Sequence, residues 1–252
     1  MLRRLMKSIA KKILPAQMRG WMRLMRVRYS EIPPFRCVDF GSFRRTKPIH
    51  SGFSMGRGTY IDRYYIERFL RENSGSIKGC VMELADNEYT VNFGGVDVTQ
   101  SEVLDIRPNH RTATIIADLS TGIGIQSNAY DCVILTQTLN FIYDVRGAVH
   151  TLHRILKPGG TALVSVSGIS QISQDEMAYC GDYWRFTSLS LARLFHEVFP
   201  TDCVSVESRG NVLSAMAFLH GLAAEELTTQ ELDQRDLNYQ VTVLLKAVKP
   251  LK

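Results

Sequence analysis

Asp182, Tyr183, Trp184 and Arg185 stand side by side in the stretch G-D-Y-W-R-F-T-S, which puts a carboxylate, two large rings and a guanidinium within four positions. Aromatic faces can line a sugar or another ring. A guanidinium can grip a phosphate or carboxylate in bidentate fashion. These four residues are the candidate catalytic and acceptor-binding set. A structural alternative stands beside that reading, in which Trp184 packs and Arg185 pairs with Asp182 to make a flap. Metal chemistry is not expected. The histidines at 50, 110, 150, 153, 196 and 220 form no cluster, and no His/Asp/Glu spacing suggests a metal site. The cysteines at 37, 80, 132, 180 and 203 are scattered, odd in number and lack any Cys-x-x-Cys pair. A reducing compartment is therefore expected, with Cys80 and Cys132 as small buried hydrophobes.

The elements that must position such a set are clearest between Tyr130 and Val166. Cys132 to Leu135 form a short apolar run, as in a strand covered on both faces of a parallel sheet. Ala148, Leu152, Ile155 and Leu156 recur at helical spacing, and Pro158 with Gly159-Gly160 predicts the helix stop. A second buried strand follows over 162–166. Further strands are predicted at 80–84, 97–104, 114–117, 204–207 and 240–245, with helices over 61–71, 189–198 and 212–226. Three domains are expected: a basic amphipathic extension over 1–30, a cap and linker helix over 31–75, and the main α/β domain over 76–252.

The 252 residues, 45% hydrophobic and 22% charged, suffice for one core plus an extension. The net charge of +5 is unevenly spread. Nine Lys and Arg fall in the first 28 residues without one acid, leaving the rest of the chain negative. Basicity therefore gives no reason to expect nucleic-acid binding by the main domain. Leu2, Leu5, Met6, Ile9 and Ile13 share one helical face within that segment, and Met18, Trp21, Met22 and Met25 start another. Basic residues around an apolar stripe suit peripheral contact with an anionic membrane surface through residues 1–28. The plainer alternative is a helix packed on its own domain. No apolar stretch reaches the ~18 residues of a spanning helix, so a cytoplasmic protein is expected, peripheral at the inner membrane surface if that contact is made.

The segment Y-D-C-V-I-L-T at 130–136, the L-K-P-G-G at 156–160 and the apolar strand after it resemble class I S-adenosylmethionine-dependent methyltransferases, of the methyltransferase type 11-like kind. A closer resemblance is to a bacterial subgroup associated with polysaccharide and glycosyltransferase pathways. Its carriers are E-L-A-D-N-E-Y-T (83–90), R-G-T-Y-I-D-R-Y-Y-I-E-R-F-L (57–70), I-L-T-Q-T-L-N-F-I-Y-D (134–144), G-I-S-Q-I-S (168–173), G-D-Y-W-R-F-T-S (181–188) and G-N-V-L-S-A-M-A-F-L-H-G-L-A-A-E-E-L (210–227). The resemblance covers about residues 45–250. It implies an α/β, Rossmann-like seven-stranded methyltransferase sheet with helices on both faces and the last strand antiparallel, plus the basic N-terminal helical extension.

The resemblance also implies a cofactor, S-adenosyl-L-methionine, and places it. The usual acidic-apolar-Gly-x-Gly-x-Gly loop becomes Glu83-Leu84-Ala85-Asp86-Asn87-Glu88-Tyr89 here, with Ala85, Asn87 and Tyr89 where glycines would be. Asp and Asn tolerate left-handed backbone better than other non-glycine residues, so Asp86-Asn87 is expected to make the turn and Ala85 to add only a methyl group. An acid about 20 residues beyond the loop should hold the ribose. Glu102 is the candidate and Asp105 its rival. Asp118 takes the adenine amine with Leu119 beside the ring, unless Asp118 is a helix N-cap. Gln137 and Thr138 face the methionine end. The expected activity is O-methylation of a saccharide or related small metabolite. Two alternatives remain: a catalytically inactive methyltransferase-like scaffold, which the altered loop would permit, and another nucleotide-binding enzyme, disfavoured because no G-x-G-x-x-G follows the first strand.

Overall fold

A computed structural model describes residues 33–52 and 54–251. The basic extension over 1–30 and its membrane-facing reading lie outside the described residues. The chain divides into two units, Met1–Thr46 and Lys47–Lys252. In the first, the described residues are almost all exposed and hold one short turn of 3-10 helix at Gly41–Phe43, where the Asp39 carboxylate accepts from Gly41 N at 2.9 Å.

The second unit is built on one sheet. Its strands are β1 (Gly79–Leu84), β2 (Val98–Asp105), β3 (Ile115–Ile116), β4 (Tyr130–Thr136), β5 (Leu156–Ser167), β6 (Val204–Arg209) and β7 (Thr242–Val248). They lie in the order β3-β2-β1-β4-β5-β7-β6. The pairs among β1 to β5 are parallel, whereas β7 runs antiparallel to both β5 and β6. This is the seven-stranded Rossmann-like methyltransferase sheet. The helices are α1 (Ile61–Glu72), α2 (Glu88–Gly94), α3 (Val145–Ile155), α4 (Gln174–Tyr179), α5 (Ser188–His196), α6 (Val212–Leu219) and α7 (Thr229–Asp233).

Both sheet faces are covered, and β4 shows how the sequence dictates it. Successive side chains of a strand point to opposite faces. Cys132 and Ile134 join Ile66, Phe69 and Leu70 of α1 in one apolar cluster. Val133 and Leu135 join Ala148, Leu152 and Ile155 of α3 with Leu191 and Phe195 of α5 in another. Leu152 is fully buried, so its truncation to Ala would cost about 2–5 kcal/mol.

Two of the element boundaries that differ from the sequence reading are explained by glycines. The helix expected to stop at Pro158-Gly159-Gly160 has already ended at Ile155, and Leu156–Ser167 is one extended strand. Gly160 is required there because a Cβ would lie 2.9 Å from the Tyr130 carbonyl oxygen of the neighbouring strand. The helix expected over 212–226 ends at Leu219, and Ala224–Glu226 forms a separate 3-10 turn. Gly221 separates them at φ +68, and a Cβ on it would lie 2.0 Å from the His50 carbonyl oxygen.

Candidate cofactor cleft

A cleft of about 440 Å³ opens beyond the carboxyl ends of β1, β2 and β4, where open parallel sheets place their ligands. The size falls within the ~300–1,000 Å³ usual for small-molecule sites.

Register explains which residues reach it. Leu84, the last residue of β1, pairs with Leu104, so Ala85 and Asp105 leave the sheet side by side. Ala85 N donates to Leu104 O at 3.0 Å. Ala85 adopts φ +70, so the left-handed residue is Ala85 and not Asp86-Asn87; Asn87 sits at φ −127. The glycine-like turn of this loop is thus made by the smallest residue that carries a Cβ, at a conformational cost of order 1–3 kcal/mol. Asp86 Oδ1 accepts from Glu88 N at 3.0 Å, and Asn87 Nδ2 faces Ser101 Oγ at 3.4 Å, outside the cleft wall.

Glu83 anchors the loop from beneath. Its side chain is buried, with Oε1 accepting from Tyr89 N at 3.1 Å and Oε2 accepting from both Thr90 N and Thr90 Oγ1 at 2.7 Å. Burial pushes its carboxyl up to about 7, and the three hydrogen bonds only partly oppose that shift.

At the end of β2 the two acids separate. Glu102 lies within the strand, where Oε2 accepts from the Tyr130 hydroxyl at 2.6 Å, and it does not line the cleft. Asp105, its rival, ends the strand and does line it. Arg107 grips Asp105 at 2.9 and 2.6 Å, and Arg107 N adds a third bond at 2.7 Å. Beyond β3, Asp118 lines the cleft and Leu119 is buried beside it. Asp118 Oδ1 accepts from Ser120 N at 2.8 Å, closing a turn with no helix after it, so the helix-cap alternative does not apply.

Beyond β4, Gln137 adopts φ +48 and its N donates to Ser165 O at 2.9 Å. Its Oε1 accepts from the Ser167 hydroxyl at 2.7 Å, while Nε2 is buried without a hydrogen-bond partner among the described residues. That leaves Gln137 Nε2 as a donor in the cleft wall, available to a ligand or an ordered water. The segment after β5 contributes Glu176, Tyr179 and Cys180 to the cleft, and α1 contributes Arg63. Sequence reasoning missed these. Arg63 lay inside a quoted motif without an assigned role, and nothing local marks α4 as part of the wall.

The set at 182–185 does not line the cleft. Arg185 pairs with Asp182 at 2.5 and 2.8 Å and also donates to the carbonyls of Gln171 and Trp184. That guanidinium holds Asp182 below the usual carboxylate range. Trp184 Nε1 donates to Ile142 O at 3.0 Å, and its ring stacks on Tyr143 at 6.0 Å, with Tyr183 edge-on to Tyr143 at 5.3 Å. The pairing and packing match the flap alternative, yet the three rings remain partly exposed. They sit beside Phe141 and Ile142 of the cleft wall.

Residues 73–164 match the family described as a methyltransferase domain. Over that stretch the chain is similar to methyltransferase domains, and its sheet has the class I methyltransferase fold. No curated protein matches the sequence. Among solved structures, the [4+2]-cyclase SpnF is 13% identical with a TM-score of 0.51, the match covering 78% of this chain and 85% of that one. A SAM-dependent methyltransferase from Archaeoglobus fulgidus is 10% identical with a TM-score of 0.50, covering 74% and 94%. These likenesses concern the fold. The methyl donor of the domain is S-adenosyl-L-methionine. The cleft suits it: Glu83, Asp86, Glu88, Asp105, Asp118 and Glu176 face two arginines that are already paired. Such a wall favours a cationic cofactor without phosphates over a dinucleotide. Among the described residues no helix is long and apolar enough to cross a membrane, and no His/Cys/Asp/Glu group could hold a metal ion.

Proposed function

We propose that this chain transfers a methyl group from S-adenosyl-L-methionine to a hydroxyl of a saccharide or related small metabolite. The observation that carries the reading is the convergence of Ala85, Asp105, Asp118 and Gln137 on one cleft at the strand ends. In this reading Asp105, rather than Glu102, accepts from the ribose hydroxyls. Asp118 accepts from the adenine amine, with Leu119 beside the ring. The loop at Ala85-Asp86 approaches the methionine moiety, supported from beneath by Glu83, and Asn87 acts only by shaping the loop.

S-adenosyl-L-methionine supplies an activated methyl group, so the protein needs no covalent intermediate. Its task is to align an acceptor lone pair and exclude water. The acceptor's ring would rest on Tyr143, Tyr183 and Trp184. Arg185, neutralised by Asp182 and with both terminal nitrogens engaged by that carboxylate and two carbonyls, is unsuited to gripping an anionic group, although its Nε has no partner among the described residues. That supports an acceptor without phosphate or carboxylate. The acceptor's hydroxyl proton must pass to a base as the new O–C bond forms, and the carboxylates lining the cleft, Glu176 among them, are the groups available to take it. Peripheral contact with an anionic membrane through residues 1–28 is part of the same proposal, supported by their nine basic residues.

Thermal unfolding with S-adenosylhomocysteine tests the reading. A ligand that binds only the folded state raises Tm by mass action. No shift at millimolar ligand, with folded protein, would replace this proposal with the inactive scaffold.

A further inference from the structure

We propose that the cleft selects its ligand by charge, binding the sulfonium cation S-adenosyl-L-methionine more tightly than the neutral thioether S-adenosylhomocysteine. The inference rests on the cofactor reading above.

Two arginines line the cleft, and each is already neutralised. Arg63 is held by Glu88 at 2.5 Å and by Glu67 at 2.9 Å, and Arg107 by Asp105 at 2.6 Å. Glu83, Asp86, Asp118 and Glu176 line the same walls and make no ion pair among the described residues. Their hydrogen-bond partners are backbone N–H groups, the Thr90 hydroxyl and the Cys180 thiol. None of these carries a compensating positive charge. Burial raises the Glu83 carboxyl to about 7, so the field is assigned to Asp86, Asp118 and Glu176 and not to Glu83.

These carboxylates come from three regions: β1 with its loop, the turn after β3, and α4. They therefore reach the cleft from separate elements. In a cleft of about 440 Å³ they line the walls around any ligand that fills it, and charges closer than the ~8–10 Å screening length at physiological salt act on one another. Donor and product share adenosine and the amino-acid end. Contacts to those parts cancel in a comparison of the two, which isolates the methyl group and its positive charge. A single charge acting with several carboxylates at intermediate dielectric gives roughly tenfold discrimination. The product then leaves more readily than the donor, and product inhibition is weak.

Isothermal titration calorimetry with S-adenosyl-L-methionine, sinefungin and S-adenosylhomocysteine tests this on the full chain without an acceptor. Sinefungin carries an amine in place of the sulfonium and reports the charge without the reactive methyl. The expected order places both cations about tenfold tighter than S-adenosylhomocysteine at low salt, with the gap shrinking in 0.5 M salt as screening requires. Glu176→Gln and Asp86→Asn should each reduce the ratio roughly two- to threefold. Equal or tighter binding of S-adenosylhomocysteine overturns the inference. So does a preference that neither salt nor the two substitutions alters, because its origin would then lie in methyl packing. Failure of all three ligands to bind would instead overturn the cofactor reading itself.

Discussion

Arg107 occupies both carboxylate oxygens of Asp105, through Nε at 2.9 Å and Nη2 at 2.6 Å, at the point where β2 leaves the sheet. The bond holds the Asp105 carboxyl below its ordinary range despite burial. It keeps an otherwise buried charge compensated and its orientation fixed. Asp105→Ala should weaken S-adenosylhomocysteine binding by about 1–3 kcal/mol, the range for leaving polar partners unpaired. Glu102→Ala should leave the affinity unchanged, since that carboxylate faces Tyr130. Calorimetry on the two variants decides between the acids; the reverse pattern would return the ribose to Glu102.

Ala85 holds a left-handed conformation at φ +70. Ala85→Gly should stabilise the chain by about 1 kcal/mol, because glycine adopts that conformation without the Cβ clash. In a domain of this size that is a Tm rise of about 2–4 °C. Ala85→Val should lower both Tm and S-adenosylhomocysteine affinity, since a β-branched residue strains the same backbone more. Calorimetric unfolding of the three forms provides the ranking.

Glu83 makes stability depend on pH in an unusual sense for a carboxylate. Its folded pKa is raised to about 7 from 4.5, so the folded state holds a proton that the unfolded chain releases. The stabilisation is complete below about 4.5 and is lost as pH rises to about 7. Asp62, pushed up to about 6 by burial, adds to the same slope. Glu83→Gln should remove the Glu83 share and leave the Asp62 share. Urea midpoints from pH 4.5 to 7.5 should therefore fall more steeply for the unsubstituted chain; parallel curves would refute the assignment.

Arg185→Ala would strand the Asp182 carboxylate, whose side chain is 1% exposed. Breaking a buried pair from one side costs about 3–5 kcal/mol, and the partial exposure of Arg185 points to the lower end. Arg185→Lys should recover only part, because an ammonium cannot reach both carboxylate oxygens and the Gln171 carbonyl together. Urea unfolding measures the loss. Limited proteolysis should map it to residues 168–187.

Removal of residues 1–28 should leave S-adenosylhomocysteine binding intact and abolish sedimentation with anionic vesicles. Each basic residue near such a surface contributes roughly 1 kcal/mol, and high salt should weaken the attraction. Equal sedimentation of both forms would assign the extension to packing instead.

The sheet was legible because buried strands such as Cys132–Leu135 and the L-K-P-G-G segment leave local marks. The cleft was legible where a polar residue directly follows an apolar run, as at Ala85-Asp86, Asp118 and Gln137. Counting residues selected Glu102 over Asp105 because spacing ignores register: only the pairing of Leu84 with Leu104 fixes where β2 ends. The roof was hidden for another reason. Glu176, Tyr179 and Cys180 meet the cleft through the path of the chain after β5, and no nearby residue pattern encodes that path. For 182–185 the same side chains fit a binding set and a packed flap alike, so composition could not separate the two.

The strand β7, inserted between β5 and β6, sets the order in which the sheet can be finished. Among the described residues β6 pairs with no other strand. A ribosome that has made β6 but not yet residues 242–248 therefore holds a nascent chain with two open strand edges, β5 and β6, and a gap between them. Open edges invite pairing with other chains. Assembly of this half must wait for the last strand, so the interval between the synthesis of Arg209 and the emergence of Val248 is when the growing chain most needs a chaperone.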